Sequence, residues 1–132
     1  KVVSQACGLF VALVEEGWTD GPIAKAVAQR YLDPVFQGNA APDCLVLGCT
    51  HFPAMRDTLQ EVVGDEVLIV DSAKTTAEAV KEVLRKRNAL RDDGEPGTIR
   101  FMATDSPQRF ARVAANLVPE HMLPEEIELI DL

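Results

Sequence analysis

The sequence predicts an α/β fold in which mainly parallel sheets are flanked by helices. Short apolar segments alternate along the chain with segments of helical apolar spacing, as in residues 43–48 and then 53–63. The segment 43–48 has no polar alternation, which is typical of a strand buried on both faces of a parallel sheet. Repeated strand–helix units of this kind favour parallel pairing.

Two helices are predicted before the first of these buried strands. Residues 1–6 are expected to form a short strand, and the helix that follows is expected to end at Gly17. Pro22 lies near the start of the second helix, and Pro34 is expected to kink or end it. The predicted apolar stripe of this second helix comprises Ile23, Ala26, Val27 and Tyr31, with Leu32 adjoining.

The central segment is predicted to contain two buried strands that flank one helix. Strand 43–48 leads to a helix that begins at Pro53 and ends at Gly64. A second buried strand follows over residues 66–70. The apolar positions of the helix between them are Met55, Leu59, Val62 and Val63.

A long helix is predicted from about residue 73 to 90, with Asp71 and Ser72 as helix caps. Its apolar stripe comprises Ala73, Ala77, Val80 and Leu84. A basic stretch follows the same helix: Lys81, Arg85, Lys86, Arg87 and Arg91. We interpret this stretch as a solvated face near the helix C-terminus, where the helix dipole favours positive charge; a phosphate or nucleic-acid patch is the alternative.

The carboxy-terminal segment repeats the alternation of strand and helix. Residues 91–97 are charged and contain Gly and Pro, which predicts a linker. Strand 98–103 follows, and Asp105 and Pro107 begin another helix. Residues 126–131 alternate apolar and polar side chains, as a half-exposed edge strand does.

Composition excludes several functional classes. The 132 residues carry a net charge of −8, and 47% apolar with 26% charged residues is typical of a folded globular domain. No apolar run approaches the ~18–20 residues of a membrane span, and the acidic balance argues against general nucleic-acid binding. Three cysteines and no secretory signal predict a cytoplasmic protein. Because the chain starts at Lys1 without Met, we expect it to be part of something longer.

The segment 48–53, Gly-Cys-Thr-His-Phe-Pro, carries the residues best suited to chemistry. Cys49 lies between a buried strand and a helix start, and ligands of open α/β sheets bind beyond the carboxyl ends of the strands. A helix N-terminus favours a thiolate, Thr50 offers a hydroxyl and an N–H to a carboxylate, and His51 exchanges protons near neutral pH. The alternative is a buried cysteine at a strand end beside a helix-capping threonine.

This segment, preceded by Asp-Cys-Leu-Val-Leu, resembles the second cysteine motif of the glutamate racemases. Residues 6–17 are similar to the family segment Ala-Cys-Pro-Leu-Phe-Val-x-Leu-Val-Glu-x-Gly, and further resemblances cover 69–77, 101–110 and 128–132. The related aspartate racemases usually carry Glu where His51 stands, so the resemblance points to glutamate.

The resemblance implies a two-lobed racemase architecture of which this chain is roughly half. Residues 1–70 would form the lobe with the second cysteine motif, and 71–132 would return to complete the amino-terminal lobe. The implied activity is a cofactor-independent, metal-free interconversion of L- and D-glutamate, which supplies D-glutamate for the peptidoglycan cell wall. One cysteine thiolate removes the α-proton and a second cysteine returns a proton from the opposite face.

The same resemblance implies roles for four side chains. Cys49 matches a catalytic cysteine, and His51 matches a residue that assists its proton transfer and contacts the substrate. Thr50 matches a substrate-binding position, and Glu15 matches an acidic residue near the active site. For Glu15 the alternative is a solvated carboxylate at a helix end.

The family's first cysteine, in an Ala-Cys-Asn-Thr segment, and its Asp-Ser-Gly loop are absent from this sequence. Cys44 lies ~16 Å from Cys49 along an extended strand, so it cannot serve the opposite face of one α-carbon. Cys7 matches a family cysteine that is not a base, although Gly8 replaces the Pro that follows it and distance does not exclude it. We therefore expect the isolated chain to be inactive and to need the amino-terminal racemase half as its partner, with glutamate as substrate.

Three other functions are weighed against the racemase. A cysteine hydrolase would use Cys49 and His51, but a Cys-x-His pair on a turn rarely brings both side chains within reach. A metal site would use Cys44, Cys49 and His51, with His121 as the only other histidine. A non-catalytic interaction module or homodimer would use an apolar face left uncovered.

Overall fold

The computed structural model describes residues 1–38, 40–91, 94–95, 97–118 and 123–131. The chain divides into two compact units, residues 1–75 and 76–132. Each unit contains one two-stranded parallel sheet together with helices, so the predicted α/β class is confirmed.

The elements follow one another in the order helix, helix, strand, helix, strand, helix, strand, helix, strand. They are α1 (Gly8–Glu15), α2 (Gly21–Phe36), β1 (Cys44–Leu47), a 3-10 turn (Phe52–Met55), α3 (Arg56–Val63), β2 (Leu68–Asp71), α4 (Ser72–Lys86), β3 (Phe101–Ala103), α5 (Pro107–Ala114), a second 3-10 turn (Pro124–Glu126) and β4 (Ile127–Leu129).

Helix α1 ends where the sequence predicts. Gly17 takes a left-handed φ of 75°, and the next N–H, from Trp18, returns to the carbonyl of Leu13 at 2.7 Å. This is a Schellman cap, which glycine adopts without a Cβ clash. The predicted strand over residues 1–6 is wrong: these residues have no regular structure, and Val2 is 92% exposed because no neighbouring strand pairs with this segment in the described chain.

Pro34 does not end α2 at once, because the helix continues for two residues to Phe36; the predicted kink stays a prediction. Pro34 lies in the last turn, where it removes only one backbone hydrogen bond, and Gln37 still donates to the carbonyl of Asp33 at 2.8 Å.

The buried face of α2 differs from the predicted stripe. Val27 and Tyr31 are partly buried as expected, but Ile23 and Ala26 are exposed. Leu32, predicted to adjoin the stripe, is buried, and the other buried positions are Ala24 and Ala28. Small alanine side chains allow close approach of packed helices, and apolar spacing alone does not show which alanines face a neighbouring helix.

Among the described residues, helices cover one face of the first sheet. Strands β1 and β2 pair in parallel register from Cys44↔Leu68 to Leu47↔Asp71. Leu47 and Ile69 are buried against the helices, whereas Val46 is 68% and Leu68 is 63% exposed on the other face. The expectation that both faces are buried is therefore wrong in this chain. The core on the covered face is built around Phe10, Val14, Met55 and Leu59.

Helix α3 ends at Val63, and Gly64, with φ of 88°, follows as its C-cap, as predicted. The predicted start at Pro53 is wrong, because residues 52–55 form a 3-10 turn and the α-helix begins at Arg56. Asp71 is confirmed as a helix cap, since its Oδ1 accepts the Lys74 N–H at 2.9 Å. Helix α4 ends at Lys86, earlier than predicted, because Asn88 turns left-handed and Ala89 donates back to the Leu84 carbonyl at 2.9 Å.

No residue of α4 is buried, so its predicted apolar stripe is exposed to solvent. The basic positions of this helix are exposed too, as the solvated-face interpretation predicts. Arg85 contacts Glu82 through two hydrogen bonds of 2.9 and 2.7 Å and, with Lys86, lowers the pKa of that carboxyl.

The second unit has a small core in the part that the structure describes. β3 pairs with β4 in parallel, and Ile127 and Ala111 are its buried side chains. Helix α5 begins at Pro107 after Ser106, which takes a left-handed φ of 43°. The predicted linker 91–97 lies partly outside the described residues. Among the described helices, none has the length and apolar character needed to cross a membrane.

Candidate active site

A short loop connects β1 to α3 and carries the cysteine motif. We call residues 48–55 the cysteine loop. Phe52 donates its N–H to the Cys49 carbonyl at 3.2 Å, and Ala54 donates to the His51 carbonyl at 3.1 Å. These bonds fold the chain back immediately after the strand. Cys49 is thereby held at the carboxyl end of a parallel strand, where α/β folds build their sites.

The loop places His51 between a thiol and a carboxylate. Cys49 Sγ lies 3.9 Å from His51 Nδ1, and His51 Nε2 lies 3.5 Å from Glu15 Oε1. The His51 and Glu15 side chains are 23% and 26% exposed, so both are partly shielded from water. The structure thus brings together Cys49, His51 and Glu15, three of the side chains singled out from the sequence.

This arrangement can move a proton from sulfur to nitrogen. A carboxylate beside Nε2 favours the imidazole tautomer that carries its hydrogen there, which leaves Nδ1 to accept a proton from the thiol. The resulting imidazolium would face Glu15, and the thiolate is the reactive form of cysteine. The expectation that a Cys-x-His pair on a turn rarely comes within reach is wrong for this loop, since the fold-back at Cys49 brings the two side chains together.

Thr50 lies between these two residues and is exposed to solvent. Its position in the same loop makes it accessible to a ligand that approaches Cys49.

The other two cysteines occupy different environments. Cys7 is buried, its Sγ lies 3.6 Å from the Gln5 carbonyl, and burial raises the pKa of its thiol. A thiol of raised pKa is a poor base and nucleophile near neutral pH. Cys44 is partly buried and begins β1, at the opposite end of that strand from Cys49.

Metal binding is a further use that the sequence suggests for Cys44, Cys49 and His51. Among the described residues, no group of three or more His, Cys, Asp or Glu side chains is arranged to hold a metal ion. His121, the other histidine of that hypothesis, lies outside the described residues.

Two sets of contacts that hold the cysteine loop in place are not predicted by the sequence. The Phe52 ring packs edge-to-face on Phe10 at 5.3 Å, and Phe10 packs in the same way on Tyr31 at 5.4 Å. Arg56, the first residue of α3, bonds through Nη1 to Asp71 Oδ2 at 2.8 Å. Only the cap role of Asp71 has a local sequence signal; its contact with Arg56 joins positions far apart in the chain.

Comparisons with known proteins bear on this site. No protein-family model matches the chain. Curated glutamate racemases do: that of Geobacter metallireducens is 45% identical over 113 residues, and that of Syntrophus aciditrophicus is 43% identical over 113 residues. Each match covers 86% of this chain and 41% of the relative.

Solved structures give the same result. The glutamate racemase of Francisella tularensis, in complex with D-glutamate, matches with a TM-score of 0.80 at 28% identity, covering 99% of this chain and 47% of that one. The Thermus thermophilus enzyme, in complex with β-chloro-D-alanine, matches with a TM-score of 0.78 at 34% identity, covering 97% and 47%.

The chain resembles glutamate racemases in both sequence and fold. The resemblance drawn from the cysteine motif is thereby confirmed. The chain spans less than half the length of the glutamate racemases it matches, so the activity of those longer proteins is carried to it as a proposal.

Proposed function

We propose that this chain provides one face of the active site of a glutamate racemase. Cys49 would be the acid–base group on that face, with His51 as its proton partner and Glu15 as the carboxylate that orients His51. The observation that carries the proposal is the succession of short distances in the first unit, 3.9 Å from Cys49 Sγ to His51 Nδ1 and 3.5 Å from His51 Nε2 to Glu15 Oε1.

The proposed chemistry is a two-base proton exchange at the α-carbon of glutamate. The Cys49 thiolate removes the α-proton, and the electron pair of the broken C–H bond is delocalised toward the adjacent carboxylate. A second thiol, from a part of the racemase not contained in this chain, gives a proton to the opposite face. General acid–base catalysis contributes a rate enhancement of about 10²–10⁴-fold, so positioning and electrostatic stabilisation must provide the rest of the enhancement.

Glutamate is the proposed substrate because the Francisella tularensis relative is described in complex with D-glutamate. The exposed Thr50 hydroxyl and backbone N–H would bind a glutamate carboxylate. The net charge of −8 repels an anion at long range, so recognition would rest on such local donors. His51 would also contact the substrate from its place beside Cys49.

The proposal includes a partner. Residues 1–70 would form the lobe that carries the cysteine loop, and residues 71–132 would complete a second lobe together with the amino-terminal half of a racemase. The reaction would need neither cofactor nor metal, and it would supply D-glutamate for peptidoglycan in the cytoplasm. The isolated chain, which lacks the second base, would not racemise glutamate.

A second candidate, a non-catalytic interaction module, is favoured by one observation. Val46 and Leu68 form an apolar patch on the outer face of the first sheet, 68% and 63% exposed. Such a patch favours association, including a homodimer. Light scattering that shows a concentration-dependent dimer, together with a racemase chimera that is inactive, would support this alternative.

The racemase proposal is tested by exchange of the α-proton in D₂O. The chain alone should not incorporate deuterium into L- or D-glutamate. A chimera, in which this chain replaces the matching segment of the Geobacter metallireducens enzyme, should exchange deuterium with both enantiomers. Cys49→Ser in the chimera should abolish conversion of one enantiomer into the other, whereas Cys44→Ser should leave this conversion unchanged because that thiol lies at the other end of β1.

Two results would contradict the proposal. Rapid conversion of one enantiomer into the other by the isolated chain, lost in Cys49→Ser, would show that no second base is missing. An active chimera that tolerates Cys49→Ser would show that the acid–base assignment is wrong. Acylation of Cys49 by an activated ester such as p-nitrophenyl acetate, with turnover, would instead favour the hydrolase.

A further inference from the structure

Asp71 is a buried carboxylate at the carboxyl end of β2, with its side chain 9% exposed. Its Oδ2 accepts a hydrogen bond from Arg56 Nη1 at 2.8 Å, and its Oδ1 accepts the Lys74 N–H at 2.9 Å. Arg56 also donates through Nη2 to the Ile69 carbonyl at 3.1 Å. Both partners are therefore held by two contacts each.

These contacts reach both ends of the cysteine loop. Leu47, the residue before the loop, lies opposite Asp71 in the ladder of the first sheet. Arg56, the residue after the loop, bonds to the same aspartate through its side chain. Asp71 thus joins the two chain ends from which Cys49, Thr50 and His51 project.

The carboxylate of this ion pair is more buried than that of a surface pair, while the Arg56 side chain is 42% exposed. Lys25 and Glu61 form the matched comparison in the same unit, at 3.2 Å with side chains 46% and 64% exposed. Exposed pairs of that kind contribute little because water and salt screen them. Charge-assisted bonds to a buried carboxylate are stronger and fix geometry, above all when guanidinium donates twice.

We propose that Arg56 and Asp71 are positioning residues for Cys49. They close the base of the cysteine loop and so hold the Cys49 thiol against the His51 imidazole. The inference rests on the proposed function only where the contact between Cys49 and His51 is given a role in proton transfer. The contact itself can be measured without racemase activity.

The test measures the reactivity of Cys49 in the full chain. Iodoacetamide alkylates the thiolate and releases iodide, and mass spectrometry gives the rate at Cys49 in a Cys44→Ser background, where the remaining thiol, Cys7, is buried. Arg56→Met and Asp71→Asn should each lower this rate about tenfold, since displacements of ~1 Å can cost ~10²-fold in reactions that depend on alignment. Arg56→Lys should recover part of the rate, because it keeps the charge but not the second bond.

Lys25→Met is the control, and it should change the rate less than about twofold because it removes an exposed pair elsewhere in the unit. All rates are compared for the folded fraction, which urea unfolding measures for each variant. Equal rates for wild type, Arg56→Met and Asp71→Asn would overturn the proposal.

A double-mutant cycle separates positioning from a structural role. If Arg56 acts by holding Cys49 against His51, then Arg56→Met should have little further effect once His51→Asn has removed the contact. Multiplicative effects of the two substitutions would overturn the proposal. Should Arg56→Met fail to fold, the same cycle with Arg56→Lys decides.

The two proposals can fail separately. A chimera without racemase activity, together with a cycle that shows coupling, would remove the proposed function and leave the positioning role. An active chimera in which Arg56→Met and Asp71→Asn leave the reactivity of Cys49 unchanged would remove the positioning role and leave the proposed function.

Discussion

The two units of the chain are built from similar elements but differ in packing. In the first unit, Phe10, Val14, Met55 and Leu59 are almost completely shielded from solvent. In the described part of the second unit, the buried side chains are Ala111 and Ile127. The cysteine loop and all the candidate site residues lie in the first unit.

This difference suits the better-packed unit to the proposed site. An imidazole is held between a thiol and a carboxylate only if the segments that carry them cannot shift independently. Phe10 and Phe52 meet edge-to-face at 5.3 Å, which ties the cysteine loop to the helix that carries Glu15. In the second unit, Phe101 and Phe110 meet at a tilt at 6.3 Å and remain partly exposed.

The largest expected effect compares these two aromatic pairs. Phe10→Ala should destabilise the first unit by about 3–5 kcal/mol, because it leaves a cavity in a closed core. Phe101→Ala should cost about 1–2 kcal/mol, because much of its ring surface is already in contact with water. Hydrogen–deuterium exchange followed by mass spectrometry of peptides measures the stability of each unit separately. Equal losses of stability at the two sites would contradict the difference in packing between the units.

A smaller effect is expected at the two left-handed helix ends. Gly17→Ala should destabilise the first unit by about 1–2 kcal/mol, because a Cβ is strained at a φ of 75°. Asn88→Gly, at a φ of 51°, should change stability by less than about 0.5 kcal/mol, since relief of strain is offset by the greater freedom of glycine in the unfolded chain. Urea unfolding measures both, and a tolerated Gly17→Ala would contradict the strain argument.

The smallest expected effect is the contribution of Cys7 to the pH dependence of stability. Burial raises the pKa of this thiol above its ordinary value of 9.0. Well below that pH the thiol is protonated in both the folded and the unfolded chain, so it adds no pH dependence. As pH rises through the unfolded value, the unfolded chain loses its proton first and stability falls. In Cys7→Ala, the urea midpoint should fall less steeply than in wild type between about pH 8 and about pH 10. Identical pH profiles for the two proteins would show that burial of Cys7 does not contribute to the pH dependence of stability.

Much of the local structure could be predicted from the sequence. Gly17 and Gly64 end helices because glycine takes positive φ without strain, and Asp71 caps α4 because its side chain is short and accepts hydrogen bonds. The cysteine motif was placed correctly at the end of a strand, since the change from an apolar run to a turn is a local signal. These features depend on neighbouring residues only.

The errors about burial have one physical cause. The pattern of α2 favoured Ile23, whereas burial selected Ala24 and Ala28; the pattern of β1 predicted two covered faces, and one is covered. Apolar spacing shows which side chains could be buried, but burial depends on which surface another element supplies. The apolar stripe of α4 is the clearest case, because the helix forms while no residue of it is buried.

The sequence by itself determined the α/β class, most of the helices and strands, and the presence of a cysteine, a threonine and a histidine in one turn. Only the tertiary structure decided that Glu15 meets His51 and that Arg56 meets Asp71, at 3.5 and 2.8 Å. The reason is distance along the chain: side chains far apart in sequence meet only when the core of the first unit has brought α1, the cysteine loop and β2 together.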